Sequence, residues 1–300
     1  MNMGNALEAE YEGAWGYSIR QEDLWRIKQA GFDTIRLPVR WDTHAAHHAP
    51  YGIQRHYMVR VRAVVDQAHA YGLGVILDVH HYLPLYENTE KELPRFVAIW
   101  EQIAREFQHV SGPLYFEPIN EPFPYGSIDE VNRLYAAVIP VIRRYHPKKY
   151  IILGGNQWNS FESLAGVAWP SDPYIVATFH DYVPHDFTHQ GNSWESNPPP
   201  VGRRWGRRSD HRDLQSLYKQ ARAFQAKTGL HIFVGEFGVI DTVPDSERAA
   251  WTQARREMME ASGMSWCYWS FSGPFALYDT TAERWNGPIL NALIPFAPQR

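Results

Sequence analysis

The chain has a single cysteine, Cys267, among its 300 residues. An intrachain disulfide is therefore impossible, and zinc sites built from several cysteines are excluded. The sequence also lacks any run near the roughly 18 apolar residues that a membrane-spanning helix needs. Its first residues, MNMGNALEAEYEG, contain neither the basic nor the apolar segment of a secretory signal. We expect no membrane partner, and a secreted protein only if a signal peptide has been removed; otherwise we expect a cytoplasmic one.

Excess positive charge is also missing. The formal net charge is −4, and the one basic cluster, GRRWGRR at residues 202–208, is local. Binding to nucleic acid usually depends on a basic excess, so we expect no nucleic acid partner. Internal repeats, low-complexity segments and linkers are absent too. With 44% hydrophobic residues, the chain has ample material for the core of one domain over residues 1–300.

Short apolar segments rich in β-branched residues alternate with longer segments of helical periodicity. This alternation is typical of a parallel sheet with crossover helices. The predicted strands are NMGNA (weak) at residues 2–6, and residues 34–39, 74–80, 113–119, 150–156, 175–180, 231–237 and 265–271. Eight strand–helix units without a break in composition favour a closed (β/α)8 barrel, the TIM barrel. An open doubly wound sheet is the alternative.

Two serines mark predicted helix starts. Ser18 with Gln21, and Ser127 with Glu130, have the spacing of a capping box, in which two unpaired backbone N–H groups are satisfied reciprocally. Another helix is predicted over RHYMVRVRAVVDQAHAYG, where apolar residues recur with helical spacing. Gly72 is suitable for the C-terminal cap of that helix.

Polar residues follow several of the predicted strands. In a barrel the catalytic groups lie at the C-terminal ends of strands. The candidates are Arg36, Asp78, His80, Asn120, Glu121, His180, Tyr182, Glu236 and Trp269. Each alone could be a loop ion pair or a cap, but their convergence around one pocket favours an active site. The irregular segment at residues 181–210 is long enough to be functional.

Two glutamates from different strands, Glu121 and Glu236, are what glycoside hydrolysis requires. One must be protonated to donate to the leaving oxygen, and the other ionised to attack the anomeric carbon. Arg36 would hold Glu236 ionised, whereas the more apolar setting near Pro122 would keep Glu121 protonated. Glu117 lies earlier on its strand, so we expect it to support the site rather than react.

Six motifs occur along the chain: GFDTIRLPVRW, VILDVHH, NEP, FHDYVPHDFTHQG, GEFG and WSF. Together they resemble glycoside hydrolase family 5, of the retaining clan A barrels. The resemblance runs in family order from residue 3 to about 271. The resemblance implies a (β/α)8 barrel, a retaining double displacement, and endo action on β-1,4-linked glucan or mannan. Glu121 of NEP would be the acid/base, and Glu236 of GEFG would be the nucleophile.

The resemblance also implies supporting and substrate-binding residues. The supporting residues are Arg36, His80, Asn120, His180 and Tyr182. Arg36 and Tyr182 would hold the charge and geometry of Glu236, and Asn120 would bind the sugar 2-hydroxyl. The expected substrate contacts are Trp269, His81, His189, Asn5 and Glu8, together with Trp194 and Trp205. The last two lie in the long irregular segment, where rigid aromatic planes can stack on sugar faces.

The FTHQG motif is similar to one thermophile-rich subgroup, whose members cut both glucan and glucomannan. That subgroup contacts distal sugars at the positions of Asn5 and Glu8. It usually has a tyrosine where this chain has Asp181. We expect this difference to change a hydrogen bond near the acid/base. The choice among glucan, glucomannan, mannan and xyloglucan stays open.

Two other classes of protein share features with this sequence. A metal-dependent hydrolase is suggested by the 14 histidines, among them His44, His47 and His48. On a regular strand His80 and His81 face opposite ways, so they do not supply two inward ligands, and we expect no metal or other cofactor. A non-catalytic carbohydrate-binding barrel would keep the aromatic residues but would not need both glutamates. We expect a monomer that binds a polysaccharide or oligosaccharide.

Overall fold

Seven parallel strands form one sheet whose order follows the chain. The computed structural model describes residues 1–122 and 127–295, so the domain expected over residues 1–300 includes two stretches outside the described residues. The strands are β1 (Thr34–Leu37), β2 (Gly74–Asp78), β3 (Leu114–Glu117), β4 (Ile151–Leu153), β5 (Ile175–His180), β6 (Ile232–Glu236) and β7 (Ser265–Trp266). Each lies within a predicted strand.

The first residues of the chain close this sheet into a barrel. On one side, the backbone N–H of Met3 donates to Arg36 O at 2.9 Å, and the N–H of Arg36 donates to Met1 O at 2.9 Å. On the other side, the N–H of Asn2 donates to Tyr268 O at 3.0 Å, just beyond β7. Asn2 pairs in parallel with β1 and takes the place of the weak first strand. The (β/α)8 barrel is confirmed, and the open sheet is wrong.

Helices surround the barrel and connect its strands. They are α1 (Gln21–Gln29), α2 (Arg55–Ala70), α3 (Leu83–Glu87), α4 (Thr89–Glu106), α5 (Ile128–Tyr145), α6 (His185–Thr188), α7 (Arg208–Thr228), α8 (Asp245–Ala261) and α9 (Gly287–Leu293). A separate antiparallel pair is formed by β8 (Tyr278–Asp279) and β9 (Arg284–Trp285). Within the described residues, we find no helix with the length and apolar character that crossing a membrane demands.

Alternation along the strands separates an outer core from a barrel interior. Outward residues such as Ile35 and Leu77 belong to the main hydrophobic core that the helices cover. Inward residues form a second, smaller cluster, which we call the lower layer: Ile76, Ile152, Phe233 and Cys267. Two residues further along β2, Asp78 is 0% exposed and begins a layer of charged side chains. This change occurs at the carboxyl ends of the strands.

The helix caps confirm one capping prediction and correct another. Ser127 caps α5, and the Glu130 carboxylate accepts the N–H of Ser127 at 2.7 Å. The box predicted for Ser18 is wrong, since α1 begins at Gln21 after Arg20. The buried Asp23 carboxylate accepts the N–H of Arg20 at 3.2 Å and replaces the predicted glutamine.

Two further boundaries agree with the prediction. The C-cap of α2 is Tyr71, and Gly72 follows it with φ +73°, the left-handed conformation that glycine adopts without strain. The segment at residues 181–210 is mostly irregular, with α6 as a short insertion before α7 begins.

Candidate active site

A layer of charged side chains lies above the lower layer, and we call it the upper layer: Arg36, Asp78, Glu117 and Glu236. Arg36 is its central charge. Its Nε and Nη2 donate to the two oxygens of Glu117 at 2.7 and 2.9 Å, and its Nη1 donates to Oε1 of Glu236 at 2.8 Å. Asp78 Oδ2 lies 2.8 Å from Nη2. Burial lowers the pKa of Arg36, but these carboxylates more than reverse the effect. The guanidinium therefore stays charged although it is 0% exposed.

Glu236 lies at the end of β6 and uses both of its oxygens. Oε1 accepts from Arg36, and Oε2 accepts from the hydroxyl of Tyr182 at 2.9 Å. Burial is the largest influence and leaves the pKa of Glu236 raised, although Arg36 and the Tyr182 hydroxyl act to lower it. Hydrogen bonds from a guanidinium and a phenol favour the ionised form of a carboxyl group. Arg36 is therefore placed where the sequence predicts it, and its hold on the charge of Glu236 stays a prediction.

Glu121 has a different environment. One of its oxygens lies 2.5 Å from Nδ1 of His180, and its side chain is 21% exposed. Burial raises the pKa of Glu121 to about 8, so the group is mostly protonated at neutral pH. Burial also lowers the pKa of His180, which keeps the imidazole neutral. The two glutamates thus have different hydrogen-bond partners: His180 for Glu121, and Arg36 with Tyr182 for Glu236.

The two carboxyl groups face each other across a short gap. An oxygen of Glu121 and an oxygen of Glu236 lie within 4.8 Å of one another. Retaining glycosidases have carboxyl groups about 5–5.5 Å apart, whereas inverting ones need about 6.5–9.5 Å for a water molecule. The observed gap therefore favours the retaining geometry.

His80 and Asn120 complete the wall between these groups. Asn120 Oδ1 accepts from Arg36 Nη2 at 2.6 Å, and Asn120 Nδ2 lies 3.2 Å from Nε2 of His80. Nδ1 of His80 lies 3.0 Å from Asp78 Oδ2. The expectation that His80 and His81 face opposite ways is wrong, because β2 ends at Asp78 and the two rings lie 4.5 Å apart.

Trp269 forms a flat surface beside this wall. Its ring is parallel to that of His80, at an angle of 6° and 5.8 Å between centroids. A Cβ atom on Gly4 would lie 2.9 Å from the Trp269 ring. Glycine at this position therefore lets the first strand pass close to the indole. The tryptophan predicted as a substrate contact is at the site.

Two predicted contacts from the long irregular segment lie next to Tyr182. The His189 ring is 4.9 Å from the Tyr182 ring, and Trp194 is 6.1 Å from His189. Trp194 is 52% exposed and therefore available to a ligand. Burial lowers the pKa of His189 to about 3, so its imidazole is neutral. On the other flank, His81 lies 6.0 Å from the exposed ring of Trp15.

Two predicted contacts are corrected by the structure. Glu8 is 1% exposed, and its carboxylate accepts from the backbone N–H groups of Asn5 and Ala6. It shapes the loop after the first strand instead of reaching a ligand. Trp205 packs on His211 of α7, and its backbone N–H donates to Glu247 of α8. The segment folds back onto these helices, so Trp205 does not join the two glutamates.

Asn5 keeps a partly exposed side chain next to that loop. Its Nδ2 donates to Ser272 O at 2.9 Å, and its φ is +67°. Asp181, which we expected to alter a hydrogen bond near Glu121, does not approach Glu121. Its carboxylate is 0% exposed and accepts from the hydroxyl of Tyr218 on α7 at 2.8 Å.

A metal ion has one group of candidate ligands in the described part of the chain. Glu121, His180 and Glu236 each offer an atom within 4.8 Å of the others. The histidines of the THAAHH segment do not join this group. A cation bound there would compete with Arg36 and Tyr182, which already occupy both oxygens of Glu236. Repulsion by the guanidinium opposes such binding, so these donors fit a metal poorly.

A family model described as Cellulase (glycosyl hydrolase family 5) matches residues 3–274. The chain belongs to glycosyl hydrolase family 5. A relative, Endoglucanase H of Acetivibrio thermocellus, is 31% identical over 298 residues. The match covers 97% of this chain but 32% of the relative, so the chain spans about a third of that protein's length.

Solved structures agree with this family 5 membership. The Cel5A structure of Thermotoga maritima with cellobiose has a TM-score of 0.96 and 36% identity, covering 98% of this chain and 96% of that chain. Cel5A with mannotriose has a TM-score of 0.96 and 35% identity, with the same coverage.

One residue of the site, Asn2, was not among the predicted candidates. Asn2 accepts from Arg36 Nη1 at 3.0 Å. Asp78, a candidate at the end of an apolar strand, contacts both Arg36 and His80. Asn2 lies in the weakest predicted strand, and its sequence context gives no reason to select it.

Proposed function

We propose that this chain is a retaining endo-β-1,4-glucanase in which Glu236 is the nucleophile and Glu121 the acid/base. The observation that carries the proposal is the pair of facing carboxyl groups in different surroundings. Arg36 and Tyr182 bond to one of them, and burial raises the pKa of the other to about 8. A barrel that only bound carbohydrate would need neither the short gap nor this difference.

In the first step, a carboxylate oxygen of Glu236 attacks the anomeric carbon while Glu121 gives its proton to the glycosidic oxygen. The bond to the leaving sugar breaks, and a covalent glycosyl–enzyme forms. The charge on Glu236 is lost in this step, so Glu121 can carry a negative charge without a second charged carboxylate facing it. Asn120, held by Arg36 at 2.6 Å, would bind the 2-hydroxyl of the sugar at this stage.

In the second step, Glu121, now ionised, takes a proton from water as the oxygen attacks the same anomeric carbon. The bond to Glu236 breaks, and the product keeps the β configuration. His180, neutral and 2.5 Å from Glu121, would orient that carboxyl group in both steps. Trp269 would support the sugar ring next to the scissile bond by stacking.

The substrate class comes from the relatives. Endoglucanase H bears the name of a glucan-cleaving enzyme, and Cel5A has been solved with cellobiose, a β-1,4 glucose disaccharide. We therefore place β-1,4-glucan first. The complex of Cel5A with mannotriose supports glucomannan or mannan as a second candidate.

We also propose that the barrel acts as a monomer and as one catalytic unit. The two glutamates and the residues bonded to them, among those the structure describes, can react with a sugar within one copy of the chain. Size-exclusion chromatography with light scattering tests this part.

The experiment that tests the assignment is chemical rescue by azide. We expect Glu236→Ala to lose about 10⁴- to 10⁶-fold in kcat on an aryl β-cellobioside. Added azide should attack the vacant position and give the α-glycosyl azide. In Glu121→Ala the activated aryl group leaves without an acid, so azide should attack the glycosyl–enzyme and give the β-glycosyl azide. The configuration of each product, read by NMR, distinguishes the two roles.

Glu117→Gln is the matched control, because this glutamate also contacts Arg36 but has both of its oxygens bonded to that guanidinium. It should yield no glycosyl azide of either configuration. Exchanged configurations would reverse the roles of the two glutamates, and full activity in either alanine variant would overturn the proposal. Reversible loss of activity with a strong chelator would favour a metal mechanism instead.

A further inference from the structure

Tyr182 depends on its neighbours in the chain for its position on Glu236. Its hydroxyl donates to Oε2 of Glu236 at 2.9 Å, but the residue lies beyond β5, where strand pairing no longer fixes the backbone. The preceding residue, Asp181, donates its N–H to Glu236 O at 2.9 Å. The side chain of Asp181 points away from Glu236, toward α7 and α8.

Asp181 forms a buried cluster with residues of α7 and α8. Its Oδ2 accepts from the Tyr218 hydroxyl at 2.8 Å and lies 3.4 Å from Nε of Arg255. Asp181 and Tyr218 are 0% exposed, and Arg255 is 1% exposed. Among the residues that the structure describes, Asp181 is the carboxylate paired with Arg255. Buried charges of this kind are costly unless they are paired.

The same cluster holds the residue after Tyr182. Asp181 Oδ1 accepts the N–H of Val183 at 3.2 Å. The carbonyl oxygen of Val183 accepts from Nε1 of Trp251 at 3.1 Å and from Nη2 of Arg255. Tyr182 is therefore bracketed on both sides by groups anchored to α7 and α8.

From this geometry we infer that Asp181, Tyr218 and Arg255 form a positioning cluster that holds the Tyr182 hydroxyl on the nucleophile. The inference rests on the proposed function of Glu236. It assigns the effect of Asp181 to the nucleophile, on the opposite side of the site from the one expected from the sequence. Both helices thereby contribute to the chemistry without touching a substrate.

The readout is the ionisation of Glu236, so the groups that face Glu236 matter. They are Arg36 from β1, His180 and Tyr182 from the end of β5, and Glu121 from beyond β3, with Asp78 and Glu117 on the far side of Arg36. A tyrosine hydroxyl that donates to a carboxylate lowers the pKa of that carboxylate. Loosening Tyr182 should therefore raise the pKa at which Glu236 ionises.

Tyr218→Phe is the test variant, because it removes one hydrogen bond from Asp181 and leaves the buried charge pair intact. We expect the acidic limb of kcat/KM to move up by about half to one pH unit, the equivalent of one hydrogen bond. At a pH below that limb, kcat/KM should fall about 3- to 10-fold, with KM changed less than about 2-fold. Turnover of an aryl β-cellobioside from about pH 3 to pH 9 measures this.

Tyr135→Phe is the matched control. Tyr135 is a buried tyrosine on α5, and its hydroxyl donates to Gly154 O, just beyond β4, at 2.8 Å. In the described part of the structure, this hydroxyl has no hydrogen bond to Glu236 or to Tyr182. This variant should lose similar stability but keep the wild-type pH profile. In a Tyr182→Phe background, Tyr218→Phe should move the acidic limb no further, because the group through which it acts is already gone.

An unchanged profile in Tyr218→Phe, or a shift that adds fully to that of Tyr182→Phe, would overturn the inference and leave the proposed function standing. A wild-type protein without hydrolytic activity would overturn both. Asp181→Asn is a second variant with the same expected direction, and its folding is checked by circular dichroism.

Discussion

The barrel interior holds two layers of side chains that differ in charge. Along β2 the two layers are two residues apart. In the lower layer, Ile76, Ile152, Phe233 and Cys267 pack around a cavity of about 320 Å³. In the upper layer, the side chains are ionic, and Arg36 alone contacts three carboxylates. The same strands build both layers, since β2 supplies one residue to each.

This difference separates stability from chemistry. Apolar packing in the lower layer stabilises the barrel by removing surface from water. A buried ionic network contributes little net stability, because desolvation of the charges offsets their attraction. The upper layer is therefore better explained by the reaction than by folding. Variants that alter one layer at a time test this division.

Among the variants that compare the two layers, Arg36→Met should cause the largest combined loss of stability and activity. Loss of the guanidinium leaves Asp78, Glu117 and Glu236 buried without their cation, which should cost about 3–5 kcal/mol of stability. Activity should fall about 10³-fold, because Glu236 loses a donor that stabilises its charge. Urea unfolding and turnover of a soluble glucan measure the two losses.

The pH dependence of this variant has a defined sign. Without Arg36, the folded-state pKa values of the carboxyl groups lie further above their unfolded values. Stability is then greatest at acidic pH and is lost as the pH rises through the raised folded-state values. Arg212→Met is the control, since Arg212 pairs with Asp213 on the exposed face of α7 and should change stability by less than about 1 kcal/mol. Equal effects of the two substitutions would contradict the central role of Arg36.

A smaller effect, of the opposite kind, is expected for Phe233→Ala in the lower layer. Removing this buried ring enlarges a cavity that already exists, so we expect a loss of about 3 kcal/mol in the free energy of unfolding. The folded fraction should keep kcat/KM within about 2-fold, because Phe233 touches no charged group of the site. Phe233→Leu should give an intermediate loss of stability. A drop in activity without a loss of stability would show that the layers are not independent.

The sequence predicts the upper layer well because its residues end apolar strands. Alternation assigns Arg36 and Asp78 to the interior from their position alone. It fails for Glu236, since Phe233 and Gly235 face inward and strict alternation would then turn residue 236 outward. A register shift between β5 and β6 brings His180 level with Glu236 and returns the carboxylate to the interior. The GEFG motif identified this residue where periodicity could not.

Gly235 shows why that shift is tolerated. A Cβ atom there would lie 3.0 Å from both Nε2 of His180 and Oγ1 of Thr178. Any larger residue would push His180 away from Glu121. The glycine before Glu236 thus serves packing, and this reason is visible only in three dimensions.

Loop conformations account for the predictions that failed. Glu8 and Trp205 were expected to contact substrate, but local hydrogen bonds and helix packing direct both side chains elsewhere. Asp181 was expected to act near Glu121 and instead faces two helices. Sequence spacing does not specify which neighbours a residue beyond a strand will meet.

The smallest expected effect concerns the alkaline limb of the pH profile. Burial raises the pKa of Glu121 to about 8, so kcat/KM on a soluble glucan should fall as the pH rises through about 8 and Glu121 loses its proton. In Glu121→Gln this limb should disappear when the substrate is an aryl β-cellobioside with a strongly acidic phenol, which leaves without a proton. The acidic limb should remain, because Glu236 must still be ionised. An alkaline limb that persists in this variant would assign it to a group other than Glu121 and would contradict the role of Glu121 as the acid/base.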